Sequence, residues 1–244
     1  MVQRIAVFAA LRWECQPVLK HLRRVSRGRL GTFPTWRAGT AERELWVIKT
    51  GIGIERAAAA AQATAAAAAF DLFLSTGCAG ALSPALRPGD VVIATSVIGD
   101  RGQFAADGEA GAAARQAAER AALRPILAPV LCSPYALATV AAKQAAAHSG
   151  AVAVEMEGAA IAAAAAAAGI AFVSVRAILD AADSDVDSAA AFIAPDTGAV
   201  RPLALAAYLT RHPSALVRLL AMQRMMQAAQ RSLDRFFASF FAAS

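Results

Sequence analysis

Four acidic residues of this sequence follow apolar, strand-like runs: Glu14, Glu155, Glu157 and Asp180. A carboxylate beside a buried strand loses its hydration, which costs a few kcal/mol unless hydrogen-bonding partners replace the water. The vicinal hydroxyls of a sugar are such a partner, because one carboxylate can accept from both of them. The positions of these side chains therefore favour recognition of a polyhydroxylated ligand.

Each of these residues also has a structural interpretation. Glu14 suits the first turn of a helix, where the positive end of the helix dipole favours a carboxylate. Asp180 suits a helix N-cap, which is a common position for aspartate. Glu155 and Glu157 are harder to assign to structure alone, since two carboxylates so close to a buried strand both need partners.

A glycine-containing turn, "STGCAGAL", adds backbone donors to this set. Gly77 and Gly80 allow the main chain to approach a ligand, and the amides of Gly77, Cys78 and Ala79 can donate hydrogen bonds to it. The alternative is a tight turn that needs small residues for packing. The turn is not a dinucleotide fingerprint, which requires a third glycine and an acidic residue after the next strand.

The elements that must position these residues alternate along the chain. Apolar runs predict strands, and alanine-rich stretches such as "ERAAAAAQATAAAAA" predict helices between them. The predicted strands span residues 4–10, 44–53, 71–82, 89–98, 128–133, 150–156 and 169–179. Segment 99–126 is polar and contains glycine, which indicates an excursion near a site.

Strands that are apolar without alternation are typical of a mostly parallel sheet covered on both faces. We therefore predict a single α/β domain over residues 1–210, with a mixed, mostly parallel central sheet flanked by helices. In such sheets ligands bind outside the carboxyl ends of the strands. Glu14, the glycine turns, the "EME" segment and Asp180 all follow predicted strands, so we expect them to meet at one edge.

Composition excludes several classes of protein. Three cysteines without a CxxC pair suit a reducing cytosol, and three distant histidines lack zinc-like spacing, so we expect no metal and no cofactor. No run of about 18 strongly apolar residues free of charge is present, which disfavours a transmembrane helix. The net charge of +6 has three possible explanations: binding to nucleic acid, binding to an anionic membrane, or the amino-acid bias of a GC-rich genome.

Residues 211–244 predict an amphipathic, basic C-terminal helix. Its apolar side chains recur largely at i, i+3 and i+4 spacing. From Arg201 onward the sequence contains six arginines but one acidic residue, Asp234. Such a helix could lie on an anionic membrane. The alternative is a terminal helix that packs its apolar face on the domain or on a second subunit.

The motifs "TGIG", "STGCAGAL", "GDVVIA", "AVEMEGAAIA" and "VRAILDAAD" occur in an order that resembles the nucleoside phosphorylase and nucleosidase superfamily. The likeness covers residues 1 to about 210. It looks most like the nucleosidase branch, which includes methylthioadenosine/S-adenosylhomocysteine nucleosidase. The long alanine- and arginine-rich C-terminus is similar to the hopanoid-associated phosphorylases, or adenosylhopane nucleosidases.

The resemblance implies a role for each acidic position. Glu14 would activate the attacking water, and Glu157 would accept hydrogen bonds from the ribose hydroxyls. Met156 would pack on the ribose face, with Glu155 beside it in the substrate site. Asp180 would protonate N7 of the adenine leaving group or hydrogen-bond to it. These roles suit the positive charge that develops on the sugar and the negative charge on the base.

Four places in the sequence depart from the superfamily pattern. Phosphorylases carry a GDPxR turn after the first strand and an arginine before the glycine turn, whereas here the first site reads "AALRWE" and Ser75 replaces the arginine. Arg12 is the one nearby cation that could serve a phosphate or acceptor site. Leu179 and Cys78 replace serines, and Tyr135 is the candidate to stack on the base.

The resulting hypothesis is an N-glycosyl hydrolase or pentosyltransferase that releases adenine from a 5′-substituted adenosine, with adenosylhopane favoured and water as the acceptor. The alternatives are a nucleosidase for methylthioadenosine, S-adenosylhomocysteine or futalosine, a phosphate-dependent phosphorylase, or a basic membrane- or nucleic-acid-binding module without catalysis. We expect no nucleic-acid partner, a homodimer, and a cytoplasmic enzyme that is either free in the cytoplasm or peripheral at the inner face of the membrane.

Overall fold

A computed structural model describes residues 3–39, 43–185 and 215–242. These residues form ten strands and six helices. In chain order they are β1 (Gln3–Ala9), α1 (Arg12–Leu19), β2 (Ser26–Leu30), β3 (Phe33–Gly39), β4 (Arg43–Lys49), α2 (Ile54–Ala67), β5 (Leu72–Ala81), β6 (Val91–Gly99), β7 (Gly102–Ala105), α3 (Gly108–Arg120), β8 (Ile126–Cys132), α4 (Val140–Ala147), β9 (Ala153–Glu155), α5 (Gly158–Ala167), β10 (Ala171–Asp180) and α6 (Ala215–Ala242).

The strands form one mixed sheet whose centre closes on itself. β5 pairs with β10, β10 with β6, β6 with β8, β8 with β9, and β9 again with β5, so five strands make a ring. From β5 the sheet continues through β1, β4, β3 and β2, and β7 pairs with β6. β1, β4, β5 and β10 are parallel, so their carboxyl ends lie at the same edge of the sheet.

Helices cover both faces of the sheet, as the unbroken apolar strands predict. Neighbouring residues of one strand point to opposite faces: Phe8 of β1 belongs to the core under α2 and α5, and Val7 to the core under α1, α3 and α6. On the first face, the rings of Phe8 and Phe73 pack edge to face with centroids 4.8 Å apart. Fully buried alanines such as Ala57 and Ala61 let α2 approach the strands closely.

The prediction of a single α/β domain with a mixed sheet is confirmed. The sequence did not predict the hairpin of β2 and β3, because β2 is an exposed edge strand, "SRGRL", without an apolar face. The segment 99–126 contains β7 and the helix α3, which begins where the side chain of Asp107 accepts from the amide of Ala110. The predicted domain boundary at residue 210 lies outside the described residues.

The C-terminal half of α6 packs on the domain. Leu233, Phe236 and Phe237 are fully buried in the core that α6 shares with α1 and α3. Asp234 reinforces this contact, since its carboxylate pairs with Lys20 at 2.8 Å and with His21 at 2.9 Å. Over this half of the helix, the predicted apolar face is therefore mainly buried against the domain.

The exposed surface of α6 is basic. Arg224, Arg231 and Arg235 are exposed, and Leu220, nearer the start of the helix, is 48% exposed. The side chains of Leu216 and Leu219, part of the predicted apolar face, lie outside the described residues. Among the helices described, none combines the length and apolar character needed to cross a bilayer.

Replacing Phe237 by alanine tests this docking. Removing a fully buried ring leaves a cavity, so we expect Phe237→Ala to lower the free energy of unfolding by about 3–5 kcal/mol in urea denaturation. Ala238→Ser, an exposed change on the same turn, should stay within about 0.5 kcal/mol of the wild type. A loss below about 1 kcal/mol for Phe237→Ala would contradict the buried contact of α6.

Candidate active site

The predicted acidic residues meet at the carboxyl ends of β1, β5 and β10. Glu14 follows β1 in the first turn of α1, the glycine turn forms the last part of β5, and Asp180 ends β10. The strand that carries Glu155 differs from the prediction, because β9 runs antiparallel to β5 and not parallel to it. β9 pairs with the last two residues of β5, Gly80 and Ala81, so its final residue, Glu155, comes next to the glycine turn.

A buried arginine lies at the centre of the cluster. Arg176, on β10, is 2% exposed, and its Nη2 donates to Oε2 of Glu155 at 2.7 Å and to the hydroxyl of Ser75 at 2.5 Å. Burial by itself lowers the pKa of Arg176, but the charges of Glu155, Glu157 and Glu14 together raise it. The guanidinium is thus a permanent cation shared by three carboxylates.

Glu155 is engaged by the protein through both oxygens. Besides Arg176, the carboxylate accepts from the amide of Glu157 at 3.0 Å and from the amide of Gly158 at 2.8 and 2.9 Å. These amides belong to the start of α5, where helix N–H groups lack partners and favour an anion. A Cβ at Gly158 would lie 2.8 Å from Oε1 of Glu155, so glycine is needed there. These contacts anchor the turn into α5.

Glu157 joins the starts of two helices. It precedes α5, and its Oε1 accepts from the amide of Gly53 at 2.7 Å, at the start of α2. Gly53 has a φ of +100°, which favours glycine. Burial, followed by the charge of Glu155, raises the pKa of Glu157 to about 8, although Arg176 and the Gly53 amide oppose this shift. This carboxyl group can therefore change its protonation state near neutral pH.

Glu14 bridges α1 and the glycine turn of β5. Its Oε1 accepts from the amide of Cys78 at 2.8 Å and its Oε2 from the amide of Leu11 at 2.9 Å. Burial raises the pKa of Glu14, while these two amides and Arg176 oppose the rise. A Cβ at Gly77 would lie 2.6 Å from Oε1 of Glu14 and 3.0 Å from Nη1 of Arg176. Gly77 therefore leaves the space in which this base and this cation approach each other.

Asp180 lies at the other side of the glycine turn. A Cβ at Gly80 would be 3.2 Å from Oδ2 of Asp180, which places the carboxylate directly against β5. Oδ2 accepts a hydrogen bond from the ammonium of Lys143, a residue of α4. Burial raises the pKa of Asp180, and Lys143 opposes the rise.

The other predicted residues differ in how close they lie to this cluster. Ala79 is buried, and Cys78 is half-buried with a thiol whose pKa burial raises well above its usual value. Met156 is half-buried between the two glutamates. Arg12 is exposed at the start of α1, and Tyr135 is 66% exposed after β8. The acceptor role of Arg12 and the stacking role of Tyr135 remain predictions.

Sequence reasoning assigned no role to Arg176 or Lys143. Arg176 was visible in the sequence as one charge inside the apolar run "AFVSVRAILD", and such a residue must be paired where the strand is buried. Lys143 gave no signal, since lysine in an alanine-rich helix is usually solvated. Within the described residues no group of three or more histidine, cysteine or acidic side chains is arranged to hold a metal ion.

Comparison with known families agrees with this geometry. Residues 4–207 match the family model of the Phosphorylase superfamily, which is most of the chain. The chain belongs to the Phosphorylase superfamily. The prediction of an enzyme, either an N-glycosyl hydrolase or a pentosyltransferase, is thereby confirmed, and a module without catalysis is rejected.

Solved structures share the fold of this superfamily member. A futalosine hydrolase mutant of Helicobacter pylori is 16% identical, with a TM-score of 0.80 and 100% of both chains covered. The 5′-methylthioadenosine/S-adenosylhomocysteine nucleosidase of Neisseria meningitidis, in complex with methylthio-immucillin-A, is 21% identical with the same score and coverage. The S-adenosylhomocysteine nucleosidase of Streptococcus pyogenes is 20% identical, with a TM-score of 0.74 and 97% of both chains covered. A comparison with curated protein sequences found no match.

The raised pKa of Glu157 predicts that the stability of this superfamily member depends on pH. The folded state keeps a proton up to a pH of about 8, whereas the unfolded chain releases it near 4.5. The stabilising contribution is therefore complete below pH 4.5 and is lost as the pH rises to about 8, by at most about 1.4 kcal/mol per pH unit.

Glu157→Gln removes this titration and keeps an acceptor for the Gly53 amide. We expect the variant to gain stability relative to the wild type between pH 5 and pH 8, measured by urea denaturation. The exposed Glu109→Gln should show a difference from the wild type that stays constant over the same range. A constant difference for Glu157→Gln as well would contradict a buried, protonated Glu157.

The central ion pair predicts strong coupling between Arg176 and Glu155. Arg176→Met leaves three buried carboxylates without their shared cation, so we expect a loss of about 3–5 kcal/mol in the free energy of unfolding. Adding Glu155→Gln removes one of these charges. A double-mutant cycle should therefore give a coupling energy of about 1–3 kcal/mol. Strictly additive losses would show that the two side chains do not interact in the folded protein.

Proposed function

We propose that this enzyme is a nucleosidase that hydrolyses the N-glycosidic bond of a 5′-substituted adenosine and releases adenine. The proposal assigns water activation to Glu14, binding of the ribose hydroxyls to Glu157, and protonation of the leaving base to Asp180. The fold and the superfamily are compatible with hydrolysis and with phosphorolysis, so the acceptor must be argued from the charges of the site.

The observation that supports water as the acceptor is that one guanidinium lies among several acidic side chains around Gly77. One guanidinium, Arg176, is shared by Glu14, Glu155 and Glu157, and its Nη2 is already used by Glu155 and Ser75. A phosphate dianion would add negative charge beside Glu155, with which this guanidinium is already paired, and that charge is costly where water cannot screen it. Neutral water faces no such cost. Arg12, the other candidate cation, is exposed rather than part of this cluster.

Glu14 is suited to accept a proton from water. Amides of Cys78 and Leu11 hold both of its oxygens, and each carboxylate oxygen retains capacity for a further bond. As the glycosidic bond lengthens, positive charge develops on the ribose, and the carboxylate of Glu14 stabilises it. Water attacks C1′ and gives its proton to Glu14, which acts as the general base.

Asp180 is suited to serve the base on the opposite side of the glycosidic bond. The leaving adenine takes the electron pair of that bond and needs a proton at N7. Burial raises the pKa of Asp180, which favours the protonated carboxyl group that can supply it. Base departure and water attack thus use two separate carboxyl groups.

The 5′ substituent is the finer part of the proposal. We favour adenosylhopane, giving ribosylhopane, because the alanine- and arginine-rich C-terminus resembles that of the hopanoid-associated enzymes. The second candidate is methylthioadenosine, S-adenosylhomocysteine or futalosine, and the solved structures that share this fold support it, since they are a futalosine hydrolase and methylthioadenosine/S-adenosylhomocysteine nucleosidases.

The location follows from the lipid-linked substrate, which lies in a membrane, and the homodimer is a separate proposal. We propose a homodimer in the cytoplasm whose α6 contacts the inner face of the membrane through its exposed basic surface. Arg224, Arg231 and the half-exposed Leu220 support such a contact. Phe236, Phe237, Phe240 and Phe241 are buried or half-buried against the domain, so they do not contribute to that support.

Adenine release tests the assignment of roles. In an assay with adenosylhopane in detergent micelles, Glu14→Gln and Asp180→Asn should each lower kcat/KM by about 10²–10⁴-fold, the usual contribution of one general acid or base. Glu109→Gln, an exposed carboxylate on α3, should leave the rate unchanged. Adding phosphate should change neither the rate nor the product, which we expect to be the free sugar.

Three outcomes would overturn parts of this proposal. Unchanged adenine release in both variants would refute the catalytic roles. A sugar 1-phosphate product would establish phosphorolysis. A kcat/KM for methylthioadenosine equal to or above that for adenosylhopane would refute the lipid-linked substrate and leave the nucleosidase itself intact.

A further inference from the structure

Lys143 is a buried basic residue to which the proposed reaction assigns no role. It is the fourth residue of α4, and it is 1% exposed. Burying an ammonium group is costly unless acceptors replace the water it loses. A lysine in this position therefore indicates that the protein gains something specific from its contacts.

The contacts of the Lys143 ammonium use all of its hydrogen-bonding capacity. Nζ donates to Oδ2 of Asp180, to the carbonyl oxygen of Ala181 at 2.8 Å and to the carbonyl oxygen of Ser184 at 2.8 Å. An ammonium has three N–H donors, whereas a neutral amine has two. Three acceptors around one nitrogen therefore require the charged form, and a fixed positive charge lies against Asp180.

This arrangement makes the two oxygens of Asp180 unequal. Oδ2 faces an N–H donor, so a proton on the carboxyl group belongs on Oδ1. The carboxylate lies against the backbone of Gly80 in β5, since a Cβ at that position would be 3.2 Å from Oδ2 and 3.4 Å from Oδ1, so glycine leaves the space that the carboxylate occupies. The hydrogen bond from Lys143 limits rotation of the carboxyl group and thereby fixes the direction in which Oδ1 can donate.

We propose that Lys143 is a positioning residue for protonation of the leaving base, holding Oδ2 of Asp180 so that the transferable proton sits on Oδ1. The inference deepens the proposed nucleosidase function and rests on it. In the step itself, the C1′–N9 bond breaks, its electron pair stays with the adenine, and the Oδ1 proton moves to N7. Water forms the new bond to C1′ and gives its proton to Glu14. Solvent then returns a proton to Asp180 and takes one from Glu14, so the net reaction consumes one water.

Lys143 also sets how readily Asp180 carries its proton. Burial raises the pKa of Asp180 and the ammonium opposes that rise. The titratable group facing Asp180 from β5 is Cys78, whose pKa burial raises well above its usual value, so this thiol stays neutral. From the turn after β10, Asp185 is bound elsewhere, since its Oδ1 accepts from the amide of Val140 at 2.8 Å. The effect of charge on the protonation of Asp180 is therefore tested by substituting Lys143.

Two measurements on Lys143→Met test the inference. The first follows the titration of Asp180 by NMR of its ¹³C-labelled carboxyl group. The second follows kcat/KM for adenine release as a function of pH. Loss of the ammonium should raise the pKa of Asp180 by about one unit or more. The fall of kcat/KM at high pH should move in the same direction, because the acid keeps its proton longer.

The same variant should also lose rate at low pH, where Asp180 is protonated in either protein. Without the ammonium the carboxyl group can rotate, and we expect kcat to fall by about 10- to 100-fold. Lys143→Arg keeps a positive charge with a different donor geometry. It should therefore keep the titration of Asp180 near that of the wild type while kcat stays reduced.

Asp185→Ala is the matched control for a merely structural role. It loosens the same turn by removing the bond to Val140 and leaves the Lys143–Asp180 pair intact. We expect no change in the titration of Asp180. If Lys143→Met does not fold, Lys143→Gln, which keeps donors for the two carbonyl oxygens without a charge, should show the same rise in pKa.

The outcomes separate this inference from the proposed function. An unchanged Asp180 titration in Lys143→Met or Lys143→Gln overturns the inference, as does an equal shift in Asp185→Ala. If the wild type releases adenine from neither adenosylhopane nor methylthioadenosine, the proposed function fails. The NMR titration still decides in that case whether Lys143 controls the protonation of Asp180.

Discussion

The buried guanidinium of Arg176 is the interaction on which the rest of the site depends. The carboxyl groups of Glu14 in α1, Glu155 in β9 and Glu157 at the start of α5 lie around it, and its positive charge compensates the negative charge that is buried there. The glycine turn of β5 follows from the same requirement, because a side chain at Gly77 would occupy the space where Glu14 and Arg176 approach each other. The closed ring of strands keeps Arg176, Ser75 and Glu155 in register.

The site contains two buried cations, Arg176 and Lys143, which have different acidic partners. Near Arg176, burial and then the charge of Glu155 raise the pKa of Glu157 to about 8, so this carboxyl group is close to its protonation equilibrium near neutral pH. Lys143 is matched to Asp180 and to two backbone carbonyls, so it fixes one acid without neutralising the rest of the cluster. A nucleosidase needs this separation, because positive charge grows on the sugar while the base requires a proton.

Much of the fold was accessible from the sequence because its signals are local. Unbroken apolar runs predicted β1, β5 and β10, alanine-rich stretches predicted α2 and α5, and the acidic residues stood at the ends of these elements. The hairpin of β2 and β3 was not accessible, since an exposed edge strand has no apolar face to reveal it. The direction of β9 was also missed, because a strand of three residues carries too little pattern to indicate its pairing partner.

The sequence by itself determined the class of fold and the superfamily, because strand hydrophobicity, glycine turns and motifs such as "AVEMEGAAIA" and "VRAILDAAD" are local features. The roles of the acidic residues stay predictions. Only the tertiary structure decided what balances those acids. Arg176 and Glu155 are 21 residues apart, and Lys143 and Asp180 are 37 apart. Such pairs form when the closed sheet removes water from them, and burial, which also sets their pKa values, is a property of the folded chain.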